Sequence, residues 1–313
     1  MLIKTLIIYN FFMKNLLTFF LIFISTNLLA DLKIKLDQQI KELMPKVIEW
    51  RHDIHQYPEL GNREFRTAKK VADHLTSLGM DVETGIAYTG VAGFLSGDLP
   101  GPTIAIRADM DALPVIEKTG LTYASKVKTT YMGNEVGVMH ACGHDGHITI
   151  LLALAELLVR EKSRPGDVHF YFQPAEEIGS GAQSMLKDDV LKRFPCDQMI
   201  GFHNWPQLPL GVISVRHGVQ MSAFQSLEVD LFCGGGHAAM PENCPDIFSA
   251  MSDFLNQMSS SLKELTSENA PVSFSFTRVR GGTAINLIPT KISLEASFRY
   301  SSSDQFSIAA EIV

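Results

Sequence analysis

Between Met139 and His147 the chain sets His140, Cys142, His144, Asp145 and His147 on a loop containing Gly143 and Gly146. A thiolate and an imidazole two residues apart, on backbone free to turn tightly, are soft and borderline ligands of the kind that hold a zinc-like cation. Alone, Cys142 and His144 could equally be a buried thiol beside a histidine at a helix start. Asp145 and His147 close by tip the reading toward metal. His140 and His147 read better as residues that pack against or orient the ligands than as ligands. Downstream, Glu176-Glu177 follows an apolar run. One carboxylate of such a pair can ligate while the other serves as general base toward a metal-activated water, although by itself the pair is as readily a solvated turn. His203, in Gly201-Phe202-His203-Asn204-Trp205, gains weight only from the company of the other clusters.

Three further groups carry polar side chains of interest. Asp109 and Asp111, between Arg107 and Pro114, can orient a ligand or the base, or form an ordinary Asx-rich turn with Arg107 paired to one of them. His237 follows Gly234-Gly235-Gly236. That loop lacks the Lys-Ser/Thr of a phosphate loop, and His237 reads as a polarising group that reaches into a site. Asn286 can donate to a carbonyl oxygen and Arg299 can pair with a carboxylate, or each can serve its own loop.

The elements that must position these residues follow from periodicity. Apolar positions at helical spacing predict helices over Leu32–Tyr57, Thr67–Leu78 and Ile148–Val159. Val91–Leu95, Thr103–Ala108, Val168–Phe172 and Gln198–Phe202 read as short apolar strands. Strands alternating with helices predict an α/β domain with a mostly parallel central sheet, its site outside the carboxyl ends of the strands. Asp109, Asp111, Glu176, Glu177 and His203 all fall at such ends. After about Val215 the texture changes to alternating strands at Ser226–Phe232, Pro271–Val279 and Lys291–Tyr300, with helices at Asp246–Leu265 and from Ser303. That order predicts a separate α+β, ferredoxin-like domain. The expected division is 1–30, 31–215 and 216–313.

With 313 residues and a formal net charge of −7, the chain has room for two domains and shows no Lys/Arg run, which argues against nucleic acid as a partner. Met13-Lys14-Asn15, the apolar run from Leu16 and the small residue Ala30 predict a secretory signal over residues 1–30, with Met13 as a credible start; an uncleaved anchor is the competing reading. Cleavage would leave an exported, periplasmic or secreted protein with no stable membrane span. The four cysteines, Cys142, Cys196, Cys233 and Cys244, suggest no disulfide framework; Cys233 and Cys244 could pair, though nothing in the spacing requires it.

Taken in order, Arg51-His52-Asp53-Ile54-His55 with Pro58-Glu59-Leu60, Arg107–Pro114, Met139–His147, Gln173–Glu177, Gly201–Trp205, Gly235–Pro241 and Gly281–Pro289 resemble the metal-dependent amidohydrolases. That family includes hippurate hydrolase, N-acyl-amino-acid amidohydrolases and auxin-conjugate hydrolases, relatives of aminoacylase and carboxypeptidase G. The resemblance, over about residues 40–313, implies a zinc-peptidase-like catalytic domain with two divalent metal ions (zinc, manganese, cobalt or nickel) and a dimerising lid domain, hence a homodimer. It implies Cys142, His144, Glu177 and His203 as metal ligands, Glu176 as general base and Asp111 as supporting carboxylate. His237 would stabilise the oxyanion, and Asn286 and Arg299 would contact an N-acyl amino acid or peptide-like substrate. Asp109 falls where more distant relatives place a metal-binding histidine. Family members continue beyond the lid and supply a last metal-binding histidine, so the resemblance also implies a chain that stops at Val313 inside the lid, short of one ligand. Two rival readings follow: an impaired fragment that only binds metal or dimerises, and a cysteine hydrolase built on Cys142 with His144 or His203, in which Glu176-Glu177 has no task.

Overall fold

A computed structural model of the chain describes residues 31–312 except 162, 219 and 267–271. The expected signal segment therefore lies outside the described residues. Contacts divide the chain into two compact units, with the boundary between Pro206 and Gln207. The change of sequence texture near Val215 comes later than this boundary because residues 207–218 form only turns and irregular backbone, so no periodicity marks the junction.

The first unit begins with a helix described over 31–56 (α1) and continues through α2 (Phe65–Ser77), a hairpin of β1 (Asp81–Ile86) and β2 (Gly90–Leu95), and β3 (Ile104–Asp109). A second hairpin, β4 (Lys128–Tyr131) and β5 (Asn134–Gly137), leads to α3 (His144–Arg160). Then come β6 (Val168–Gln173), α4 (Gly181–Lys187), α5 (Val190–Arg193) and β7 (Gln198–Gly201). The central sheet has the order β1-β2-β6-β3-β7. Its parallel part is β6, β3 and β7; β2 runs antiparallel to both β1 and β6. The sheet is thus more mixed than the sequence implied. Asp81–Ile86 is a polar stretch, and it pairs with β2 as a hairpin instead of continuing the strand–helix alternation.

Alternation within each strand separates two cores. Phe170 and Phe172 of β6 face α2 and α3 with Val71, Leu75, Ile148, Leu151 and Ala155; all are fully buried. Tyr171 points the other way and packs with Ala105, Met185 of α4 and Val190 of α5. Fully burying one such large side chain contributes about 2–3 kcal/mol. Helices on both faces hold the strands rigid, and the loops after β3, β6 and β7 share one end of the sheet.

The second unit contains β8 (Ala223–Phe232), β9 (Gly236–His237), a short 3₁₀ turn (Pro241–Asn243), α6 (Ile247–Glu264), β10 (Ser273–Gly281), β11 (Leu287–Ile288), β12 (Lys291–Tyr300) and α7 (Ser303–Ile312). Its three-stranded antiparallel sheet has the order β10-β12-β8. On β12, Ile292, Leu294, Ala296 and Phe298 alternate inward, and Phe298 packs on Met258 and Leu262 of α6 and Ala309 of α7. No helix among the described residues is long and apolar enough to cross a membrane.

Candidate metal and catalytic site

The loops at the carboxyl ends of β3, β6 and β7, together with the start of α3, converge in the first unit. Gly143, immediately before α3, has φ +83°, and a Cβ there would lie 2.7 Å from the Asn204 Oδ1 atom. Only glycine fits both the left-handed backbone and this close approach. The tight turn sets Cys142 against His203, with Sγ 3.6 Å from Nε2. It also starts the helix with His144, which is fully buried.

Backbone groups fix the tautomers of three histidines. His144 Nδ1 faces the Asp111 carbonyl oxygen at 2.8 Å, and a carbonyl can only accept, so Nδ1 carries the proton and Nε2 offers a bare lone pair. His203 Nδ1 likewise donates to the Asn204 carbonyl at 2.7 Å, leaving its Nε2 bare toward Cys142. His147 is different. Its Nε2 accepts the Asn204 backbone N–H at 2.9 Å, and its Nδ1 donates to Asp109 Oδ1 at 2.5 Å. Although Asp109, His144, His147 and His203 lie within ligand range of one another, both nitrogens of His147 are already engaged. Asp109 is similarly occupied, since Arg107 Nη1 donates to its Oδ2 at 2.8 Å. Burial would raise the Asp109 carboxyl, but the His147 hydrogen bond and the Arg107 charge outweigh it and hold the pKa at about 2. Asp109 and His147 therefore form an anchored anion–imidazole pair that locks the loop after β7.

Asp111, almost fully buried, organises the other side. Its Oδ1 and Oδ2 accept the backbone N–H groups of Glu176 and Glu177, each at 3.0 Å, while its own carbonyl holds His144. Ala175, just before the two glutamates, has φ +52°, a left-handed conformation that costs a non-glycine residue about 1 kcal/mol. The buried Glu64 carboxylate holds it there by accepting the Ala175 N–H at 2.8 Å and the Thr89 hydroxyl at 2.6 Å. The glutamates then point into one space. Glu177 Oε1 and Glu176 Oε2 lie 3.8 and 3.9 Å from His144 Nε2.

Two observations test whether a cation suits this cluster. His144 Nε2 and Glu177 Oε1 are buried and make no hydrogen bond, a costly arrangement for a lone pair and a carboxylate oxygen unless a positive ion lies between them. The ligand atoms of Cys142, His144 and Glu177 also fall within 4.8 Å of one another, with His203 touching Cys142. A thiolate, two bare imidazole nitrogens and a carboxylate are a donor set that fits a borderline divalent ion. The same carboxylates dictate the state of the thiol. Burial first, then Glu177, Glu176 and Asp109, push the Cys142 pKa up to about 12. A nucleophilic cysteine needs the opposite shift, which argues against the cysteine-hydrolase reading.

The structure thus brings Cys142, His144, Glu177, His203, Glu176 and Asp111 together. His140 does not join the cluster. It is buried behind it, and burial holds its pKa at about 4, so the ring is neutral. His237, Asn286 and Arg299 belong to the second unit. There β9 pairs with β11 through His237 and Leu287, and the Ala238 N–H donates to the Asn286 carbonyl at 3.0 Å, so His237 and Asn286 sit side by side. Arg299 lies on β12 with its guanidinium over the Phe224 ring. Sequence reasoning missed the supporting partners Glu64 and Asn204. It also gave no role to the ion network in which Asp145 accepts from His55 Nδ1 at 2.9 Å and Arg51 Nε at 3.1 Å.

Residues 105–304 match the family model described as Peptidase family M20/M25/M40. The chain is 37% identical over 278 residues to thermostable carboxypeptidase 1 of Saccharolobus solfataricus, covering 86% of this chain and 67% of that protein. It is 37% identical over 261 residues to N-acetylcysteine deacetylase of Bacillus subtilis, covering 83% and 66%. Among solved structures it is similar to a Bacillus subtilis protein described as a dinuclear metal-binding peptidase of the M20 family, with a TM-score of 0.66, 34% identity, and coverage of 87% of this chain and 68% of that one. The chain spans about two thirds of the length of these relatives. On these likenesses the chain belongs to peptidase family M20/M25/M40.

Proposed function

We propose that the protein hydrolyses the amide bond of N-acyl amino acids, releasing a carboxylate and a free amino acid. The observation that carries this reading is the unequal exposure of two adjacent carboxylates facing the same buried imidazole. The Glu177 side chain is 18% exposed and faces Cys142 and His144, whereas Glu176 is 37% exposed and opens toward solvent. Glu177 suits a ligand and Glu176 a general base that takes a proton from water and returns it to the leaving amine. Two divalent cations held by Cys142, His144, Glu177 and His203 would supply Lewis acidity and lower the pKa of a water at neutral pH. Asp111 fixes both glutamates through their backbone, so base and ligand keep their separation. In this reading His237 polarises the scissile carbonyl, and Asn286 and Arg299 contact the substrate's carbonyl and carboxylate. The second unit serves as lid and homodimer contact. The apolar segment at residues 16–25 supports export, testable by N-terminal sequencing of the secreted or periplasmic protein.

The relatives suggest the substrates to try, namely N-acetylcysteine and N-acetyldiaminopimelate beside hippurate. The test is amine release by the purified chain after chelator treatment and after adding back zinc, manganese, cobalt or nickel. Activity that vanishes on stripping and returns with metal is expected. Full turnover by metal-stripped protein, or metal uptake with no turnover of any N-acyl amino acid, would overturn the reading.

A further inference from the structure

The second unit holds two thiols to which the proposed hydrolysis gives no role. Cys233 follows β8 and Cys244 follows the 3₁₀ turn Pro241–Asn243, and their Sγ atoms are 3.9 Å apart. Both side chains are half-buried. Their backbones are held: the Cys233 N–H donates to the Thr290 carbonyl at 3.0 Å and the Cys244 N–H to that of Pro241 at 3.1 Å. Their side-chain partners are weak. Cys233 Sγ donates to the Pro289 carbonyl at 3.1 Å and accepts the Gly235 N–H at 3.4 Å, and Cys244 Sγ donates to the Pro245 carbonyl at 3.5 Å. Thiols are poor donors and acceptors, so turning both toward each other sacrifices little. A disulfide needs the sulfurs to close from 3.9 Å to about 2.05 Å, so less than about 2 Å separates the two thiols from bonding distance.

The other cysteines have different neighbours. Cys142 faces His203, and Cys196 packs at the edge of the apolar core that holds Tyr171 and Met185. The segment between the paired thiols is Gly234 to Asn243 and contains β9 with His237. Cys244 lies directly over its backbone, since a Cβ built on Gly236 would come within 3.2 Å of the Cys244 Cβ. The pair is therefore placed to pin this loop at both ends.

We propose that Cys233 and Cys244 are a dithiol–disulfide site that, on meeting a disulfide oxidant, closes an intrachain bond clamping the glycine loop around His237. One protein thiolate attacks a sulfur of the oxidant, forming a mixed disulfide and expelling one thiolate. The second protein thiolate then attacks the protein sulfur of that mixed disulfide and expels the other. The two protein thiols lose two electrons and two protons, and the oxidant is reduced to two thiols. The clamp is a property of the loop and does not depend on His237 acting on substrate.

The test equilibrates the full chain with graded ratios of oxidised to reduced glutathione. Samples are quenched in acid, alkylated and digested without reduction for mass spectrometry. The expected product joins the Cys233 and Cys244 peptides, is two hydrogens lighter than the dithiol form, and appears at one glutathione ratio for both residues. Deuterium exchange at the amides of residues 236–240 should be slower in the linked form. In Cys233→Ser, Cys244 should stop at the glutathione mixed disulfide. The proposal fails if both cysteines remain alkylated at the oxidising extreme, if either links instead to Cys142, Cys196 or a second chain, or if the two thiols retain a soft metal ion that blocks oxidation. None of these outcomes depends on amide hydrolysis, so they are separable from failure of the hydrolase reading.

Discussion

Metal affinity should rise tenfold per pH unit well beyond the point where an ordinary thiol has finished titrating. A cation held at the proposed site would take Cys142 as thiolate, so binding would expel its proton. Burial and the carboxylates of Glu177, Glu176 and Asp109 push that thiol from its ordinary 9.0 to about 12. The available thiolate fraction then grows about a hundredfold between roughly pH 8 and pH 10, or about 2.7 kcal/mol of binding free energy at 1.36 kcal/mol per unit. A thiol titrating at 9.0 would gain only about tenfold over the same roughly two units, because it bends over midway. Cys142→Asp provides the control, since its carboxylate is already ionised throughout this range and any slope left over belongs to other groups. His144 is the main such group: burial lowers its pKa, but Asp111, Asp109 and Glu177 outweigh burial and raise it above 6.5. Zinc affinity measured by competition with a chromogenic chelator, with calorimetry in buffers of different ionisation enthalpy to count protons, gives the two curves. A wild-type curve that flattens near pH 9, or one whose slope matches that of Cys142→Asp, would refute the carboxylate-loaded thiol.

Three further outcomes follow from the same geometry. Glu176→Gln should lower kcat/KM by about 10²–10⁴ while leaving metal stoichiometry unchanged by elemental analysis, because Glu177, the less exposed of the two, is the one grouped with Cys142 and His144, while Glu176 opens toward solvent. Burial raises the Asp145 carboxyl, but the His55 hydrogen bond together with the charges of His140, Arg51 and His55 outweighs it, giving a pKa of about 2 against 3.8; a depressed carboxyl stabilises above its unfolded value and loses that contribution as pH falls from about 5 toward 2. Urea unfolding should accordingly show Asp145→Asn less stable than wild type by about 2 kcal/mol near neutral pH, with the difference closing in acid. Gly143→Ala should cost at least about 1–2 kcal/mol and weaken zinc binding, whereas Gly146→Ala, inside α3 with open space around its Cβ position, should leave zinc binding unchanged and raise stability by up to about 1 kcal/mol; equal effects in the two variants would contradict the proposed constraint.

Much of the site was legible because its residues sit at the ends of strongly periodic apolar segments. β3 runs into Asp109, β6 leads to Glu176 and Glu177, and β7 leads to His203, so strand period and ligand chemistry pointed to one place. The start of α3 was placed too late, at Ile148, because its first turn is His144-Asp145-Gly146-His147, a polar run that carries no apolar period. β1 was missed for a similar reason: Asp-Val-Glu-Thr-Gly-Ile has little apolar content and contains Gly85 at φ +79°. Its strand character comes from pairing with β2.

Least legible were the residues that determine what each ligand-type side chain does. Spacing ranks His147 below His144 and His203 as a ligand candidate but gives no physical reason for it; the reason lies in three carbonyl or amide contacts from Asp111 and Asn204. Those contacts join residues 33 and 57 positions apart in two cases, and only adjacent residues in the third. Glu64 reaches Ala175 across 111 positions to hold the turn that aims both glutamates. Such partners obey no period, because the fold brings them together only after the sheet and helices have formed. The ligand types therefore belong to the sequence, while their protonation and direction belong to the backbone around them. That division explains how a single amide, the Asn204 N–H, occupies the Nε2 of His147, while the carbonyl of the same residue holds the Nδ1 proton of the neighbouring His203 and leaves its Nε2 bare toward Cys142.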